Sequence, residues 1–540
     1  MNAFKLVHAV INKSDQFQLE MSDLLSAMTL TVSSETADIV IDLKQIPAVT
    51  TNHDEQSLLE VIQTAQDSHI QNVILVNHQL LISLDRQLMS QELLTQAKTE
   101  EWDLQTSEQS LRFTVDMSSP NLGRTMTLTH LRSTTVGEAL SLMIEAAGHK
   151  VYRLNHIGDW GMAFARLIVA VRRWGLPDDD NPNIGYSKLQ HHFYEESEFD
   201  PELDIEAAVV FNQLTHKDPK VMAEWKQICE ISRKRFDDVY DLMNVHFTSE
   251  TGESAYTEAA LEVKQQLVDS NITSKELDAI IVHFPEKEIP QALIQTGEND
   301  SLYLTRDLAA AIDRHEKFHA DYNWYVVGNE QATHFIQLKR ILEMLGYDWA
   351  NTISHLGIGF NSYQGRRLIN SSGELISVNG LFNKVARRIM ETYQFSEEEA
   401  LRYSLGTIIF ESVKYPRLDH FDIDLSTIIA NEQYNGFSLM YYVETFSLYG
   451  EPNLSVPQRL SKEQWELLHL ILAYPQKLAQ GFQRGEPSEL ASFAYEIYLK
   501  HKNLVSQENN HPSIDYIVIK TLKNLLYVLN IPVKDTIGRE

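Results

Sequence analysis

From residue 111 the apolar pattern becomes an alternation of strand-like and helix-like segments, and this constrains the fold more than any other feature of the chain. "LRFTVDM" (111–117) reads as a strand. A loop rich in Ser, Pro, Asn and Thr follows it. "HLRSTTVGEALSLMIEAAG" (130–148) then reads as a helix closed by Gly148, since glycine readily takes the left-handed turn that ends a helix. "KVYRLNHI" (150–157) is the next strand and "MAFARLIVAVRRW" (162–174) the next helix. Strands alternating with helices argue for a parallel sheet wound on both faces. In such sheets ligands bind outside the carboxyl ends of the strands.

The alternation is interrupted over about 177–290, where the chain is polar and reads as mostly helical, as an insertion would. The strand–helix pattern returns at "LYLTRDLAAAIDRH" (302–315) and "NWYVVGNEQATHFIQLKRILEMLG" (323–346). Beyond about 385, apolar residues recur at three and four spacing, which predicts a helical bundle. Residues 1–108 mix both patterns. "TADIVIDL" (36–43) alternates as a strand does, "NVILVNHQLLISLD" (72–85) reads as a hairpin turning at Asn77-His78, and "SQELLTQAKTEEW" (90–102) reads as a helix. The expected architecture is an N-terminal α+β domain (1–108), an α/β domain with a parallel sheet and a helical insertion (109–385), and a C-terminal α-helical bundle (386–540).

Composition narrows the chemistry. With 46 Lys and Arg against 75 Asp and Glu, the net charge of −29 repels nucleic acid except at local basic patches. The candidates are 232–235, 365–367 and 384–388, each read as a solvated face. One cysteine, Cys229, excludes an internal disulfide and any multi-cysteine zinc site. His191-His192 with Glu195-Glu196 and the acidic run 178–180 read as solvated polar segments, so no metal site is expected. The sequence has no signal-peptide pattern and no long apolar run, so a cytoplasmic protein without a membrane partner is expected. No P-loop or Ser/His/Asp pattern occurs at useful spacing.

Six stretches in order carry a resemblance: "DMSSPN" (116–121), "HLRSTTVGEAL", "LNHIGDWGMAFARLIVA", "TGESAY" (251–256), "LYLTRDLAAAIDR" and "YVVGNEQATHFIQLKRILEMLGYDWA". Together they resemble the arginyl-tRNA synthetases, a class I aminoacyl-tRNA synthetase family, over about 110–360. The resemblance implies a Rossmann-type catalytic domain and a pocket for L-arginine. A guanidinium is a planar cation best satisfied by carboxylates. Carried over from the family, Asp116, Tyr303 and Asp307 face the guanidinium, and Asn121 and Gln331 hold the α-amino and carboxyl groups.

The nucleotide end departs from the family. Its His-x-Gly-His turn, where the glycine lets adenine lie on the backbone, is here Thr127-Leu128-Thr129-His130. His130 remains as a catalytic candidate, although a histidine at a helix start also serves as a cap or core residue. Arg124 stands where some members carry a phosphate-binding Lys. The family's lysine-bearing loop corresponds to Ile369, Asn370, Ser371 and Ser372, preceded by Arg366 and Arg367. The family's anticodon helix corresponds to "GFSLMYYVET" (436–445), where Tyr441 is kept and Phe437, Met440 and Thr445 replace Pro, Gln and Arg.

The expected function is that of an arginine-binding relative of these enzymes, acting as a regulatory or biosynthetic paralog. ATP and tRNA use would be weakened, with a monomer or an unidentified protein partner as the assembly. The alternatives are a working arginine–tRNA ligase and an ATP-dependent arginine ligase with a non-tRNA acceptor.

Overall fold

The computed structural model describes residues 2–534 except 15–16, 18, 32–36, 50, 108, 177–180, 277–278, 296–302, 364–365, 368–376 and 447–453. At Asn52, Tyr303, Tyr363, Arg366 and Arg367 only the backbone is described. The acidic run 178–180 and the segment 369–372 thus lie outside the described residues.

Five parallel strands form the central sheet: β1 (Arg112–Met117), β2 (Lys150–Ile157), β3 (Ser249–Gly252), β4 (Tyr322–Val326) and β5 (Ile353–His355), in the order β5-β4-β1-β2-β3. β1 and β4 are buried along nearly their whole length, as central parallel strands covered on both faces must be. The helices that position the site are α1 (Leu128–Ala146), α2 (Met162–Trp174), α3 (Tyr303–Phe318) and α4 (Ala332–Met344). β2 and α2 have the bounds read from the sequence. α1 begins two residues before the expected start, because Thr127 caps it.

The interruption after α2 differs from expectation. It is helical over Pro182–Ser197, Glu202–Thr215, Pro219–Leu242 and Thr257–Asp269, but it also contains strands. After the third of these helices the chain returns to the central sheet as β3, a polar edge strand with no apolar alternation to betray it. Beyond the helix at Thr257–Asp269 lies a small antiparallel sheet of Thr273–Glu276, Ala279–Val282 and Ala292–Gln295. The stretch 302–315, read as strand then helix, is helix from Tyr303 onward.

Four antiparallel strands make the N-terminal sheet, and its hairpin turns at Asn77 (φ 49°) and His78 (φ 66°), the left-handed pair that suits a two-residue loop. The helix read at 90–102 spans Arg86–Thr99. This N-terminal part is bolted to the C-terminal helices: Trp465 Nε1 donates to Asp38 Oδ1 (2.9 Å), and His469 Nε2 lies 2.8 Å from the Asp38 carbonyl. Among the described residues beyond 385 the regular elements are helices apart from the strand Phe421–Ile423, which pairs with Asn361–Tyr363.

Arg132, on α1 and fully buried, ties the catalytic-type domain to that helical region. Its guanidinium donates to the carbonyls of Asp419 (2.6 Å), Pro416 (3.0 Å), Ser412 and Gly359 (both 3.3 Å) and to Asn361 Oδ1 (3.2 Å). Burial pulls its pKa down to about 10, so it is still charged at neutral pH. Arg132→Leu would strand these acceptors inside the protein. We expect a loss of roughly 3–5 kcal/mol, read from urea unfolding. An unchanged midpoint would mean that this junction does not hold the two parts together.

Candidate ligand cavity at the carboxyl ends of the strands

A cavity of about 420 Å³ opens at the carboxyl ends of β1, β2 and β4, where a parallel sheet is expected to take its ligand. Asp116, Asn121, Asp307 and Gln331 all line it, as do Thr129 and His130. Of the residues singled out from sequence, Tyr303 is the pocket member whose side chain lies outside the described residues.

β1 delivers Asp116 and the loop after it. Ser118 and Ser119 sit at φ 70° and 48°, a region that costs a non-glycine residue energy unless its surroundings enforce it. Here they do. Ser118 N donates to Ser133 Oγ (2.8 Å), Ser118 Oγ meets Tyr240 OH (2.7 Å), and Ser119 N donates to Asn155 Oδ1 (3.1 Å). Asn121 is bridged to Gly158 just beyond β2, and a Cβ at Gly158 would stand 2.0 Å from Asn121 Oδ1. Glycine at 158 is what lets this amide lie against the backbone.

Three of the carboxylates that line the cavity have side-chain partners. Asp116, 4% exposed, accepts from Arg314 Nη1 at 2.7 Å, so its guanidinium is one of the chain's own. Burial alone would lower the Arg314 pKa, but the Asp116 charge outweighs it and raises the pKa above the usual range. Glu253 accepts from Arg306 (2.9 Å). Asp307 is held by two imidazoles, with His156 Nε2 3.1 Å from Oδ1 and His334 Nε2 2.7 Å from Oδ2. Burial would raise the Asp307 pKa, yet those two hydrogen bonds prevail and hold it well below the usual carboxylate range. Asp307 is therefore ionised at neutral pH.

At the start of α1, Thr127 and His130 cap one another. Thr127 Oγ1 accepts from His130 N (3.4 Å), and His130 Nδ1 accepts from Thr127 N (3.1 Å). His130 is thus a helix cap as well as a cavity residue. Burial, helped by the nearby Arg124 charge, lowers its pKa from 6.5 to about 4. The folded state favours the neutral ring, so the associated stability is full above pH 6.5 and is lost as pH falls towards 4. His130→Gln keeps a capping side chain without the titration. Its thermal stability should therefore fall less than wild type between those pH values, and identical slopes would contradict this assignment. Arg124 Nε donates to Gln190 Oε1 at 2.6 Å, and neither residue is among those that line the cavity.

Sequence reading missed His156, His334, Arg314 and Glu253. Their signal was positional: all four lie inside the quoted stretches, and Arg314 falls two turns after Asp307 on the same helix. Elsewhere the local readings stand differently. Phe437 and Met440 are fully buried core, Tyr441 stacks on Phe437 (5.8 Å), and Thr445 bonds the Tyr441 carbonyl. In the basic patches, Arg233 meets Glu250 (2.5 Å), Arg235 meets Asp238 (3.2 Å) and Arg388 meets Glu391 (3.7 Å). His191 and His192 pair with Glu195 and Glu196 on an exposed helix face. Among the described residues no group of three His, Cys, Asp or Glu is placed to hold a metal ion, and no helix is long and apolar enough to cross a membrane.

A parallel Rossmann-type sheet, with its cavity at the carboxyl ends and a helix N-terminus at the rim, defines a class I synthetase type of catalytic domain. The chain belongs to the family described as tRNA synthetases class I (R), catalytic domain, whose model matches residues 89–422. The Arginine--tRNA ligase of Enterococcus faecalis is 28% identical over 553 residues, covering 98% of each chain. That of Ligilactobacillus salivarius is 28% identical over 97% of this chain and 98% of its own. Among solved structures, Thermus thermophilus arginyl-tRNA synthetase (TM-score 0.75, 15% identity) and the Plasmodium falciparum enzyme (TM-score 0.72, 17% identity) each match over 99% of both chains, a likeness of fold.

Proposed function

We propose that the cavity binds L-arginine, or a close analogue with a guanidinium, and that the chain is a regulatory or biosynthetic relative of the arginine–tRNA ligases in which arginine activation is slow. The observation that carries this is the charge of the described lining. Asp116, Glu253, Asp307 and Glu330 face it, against Arg314 as the cation among them. Such a lining attracts a guanidinium and opposes a triphosphate.

Family membership implies ATP, arginine and tRNA as substrates. The described residues fit the amino acid better than the nucleotide. Thr129 brings a branched side chain to the rim of the cavity, and the capping pair of Thr127 and His130 occupies the backbone N–H groups of both residues. Those are among the donors by which a helix N-terminus would grip phosphate. The second reading, a working arginine–tRNA ligase, is favoured by full-length relatives that carry that name. Calorimetry with L-arginine against citrulline tests the proposal. Citrulline's neutral ureido group cannot pair with a carboxylate as a guanidinium does, so arginine should bind much more tightly, and equal affinities would reject it.

A further inference from the structure

We infer that His156 and His334 are positioning residues for the ligand's cation: they hold the Asp307 carboxylate in the orientation that receives a guanidinium. This deepens the arginine reading of the cavity and rests on it. The other acids of known partner are already matched to arginines, Asp116 to Arg314 and Glu253 to Arg306. Asp307 is matched to imidazoles instead, and it lines the cavity. It is the carboxylate among these three where an incoming guanidinium does not have to compete with an arginine.

Three elements meet at this group: His156 comes from β2, Asp307 from α3 and His334 from α4. One imidazole on each oxygen fixes the plane of the carboxylate and leaves each oxygen a second lone pair.

The surrounding charges come from every side. Asp116 of β1 pairs with Arg314 of α3, and Glu253, just before the helix at Thr257–Asp269, pairs with Arg306 of α3. Asp159 lies beyond β2 and acts on His156, Glu330 precedes α4, and His355 of β5 acts on His334. Each arginine is engaged with an acid, so of the three paired carboxylates Asp307 is the one left to face a cation.

The test is calorimetry of L-arginine into the full-length protein. His334→Leu, which removes one donor, should cost roughly tenfold to a hundredfold in affinity, and His334→Gln, which keeps a donor, should restore most of it. Arginine affinity in His334→Leu equal to wild type, or a loss that His334→Gln does not restore, would overturn the inference while leaving the arginine reading intact. No binding by the wild-type protein would reject the arginine reading, and the inference with it.

Discussion

Purified protein supplied with arginine and ATP should show little arginine-dependent ATP–pyrophosphate exchange, with or without tRNA. Three separate features lead to this. Thr129 stands at the cavity where the family's glycine leaves the adenine face bare. On the proposed reading, Thr127, which stands where the family has a histidine and is engaged with His130 as a cap, offers phosphate no charge-assisted donor. Residues 369–372, Ile-Asn-Ser-Ser, supply no lysine to the leaving pyrophosphate. Removing one preorganised donor to a developing oxyanion typically costs about 10²–10³ in rate, so no single position decides the outcome. Thr129→Gly should improve ATP affinity more than turnover, because it restores space and not charge. Robust exchange by the unmodified protein would reject slow activation and favour the working-ligase reading.

Asp307→Ala should nearly abolish arginine binding while leaving the weak binding of citrulline almost unchanged. The side chain is 21% exposed and ionised, held between His156 and His334. Removing it leaves a bound guanidinium partly unpaired in a confined cavity, a loss of roughly 2–5 kcal/mol, or about 30-fold to several thousandfold in affinity. The neighbouring Asp116 does not compensate, since Arg314 occupies it at 2.7 Å. Titration of both ligands into wild type and variant distinguishes this from general damage to the cavity, which would weaken both alike. Arginine affinity unchanged in the variant would mean that the guanidinium lies elsewhere.

The two carboxylates expected to act as a pair prove to have different partners, and this is where the fold altered the reading. Asp116 and Asp307 stand equally well in the sequence as acids of a guanidinium pocket. In the folded chain the first closes a buried ion pair across 198 residues of sequence, and the second is clasped by histidines 151 and 27 residues away. His130 shows the same limit in a local setting. Its position three residues after Thr127 is a capping position as much as a catalytic one, and the structure shows the cap being made.

The sequence by itself determined the elements whose signals are local. Apolar spacing and a closing glycine were enough to mark β1, β2, α1 and α2 and the helical C-terminal region, because period and turn chemistry act within a few residues. The order of the quoted motifs was likewise enough to indicate the family. Only the tertiary structure could decide that β3 joins the sheet, since a short polar edge strand is selected by backbone pairing with β2 and not by its side chains. Only it could decide which histidine and which arginine each carboxylate meets. Those pairs are formed by packing between distant elements, and burial makes their partners obligatory.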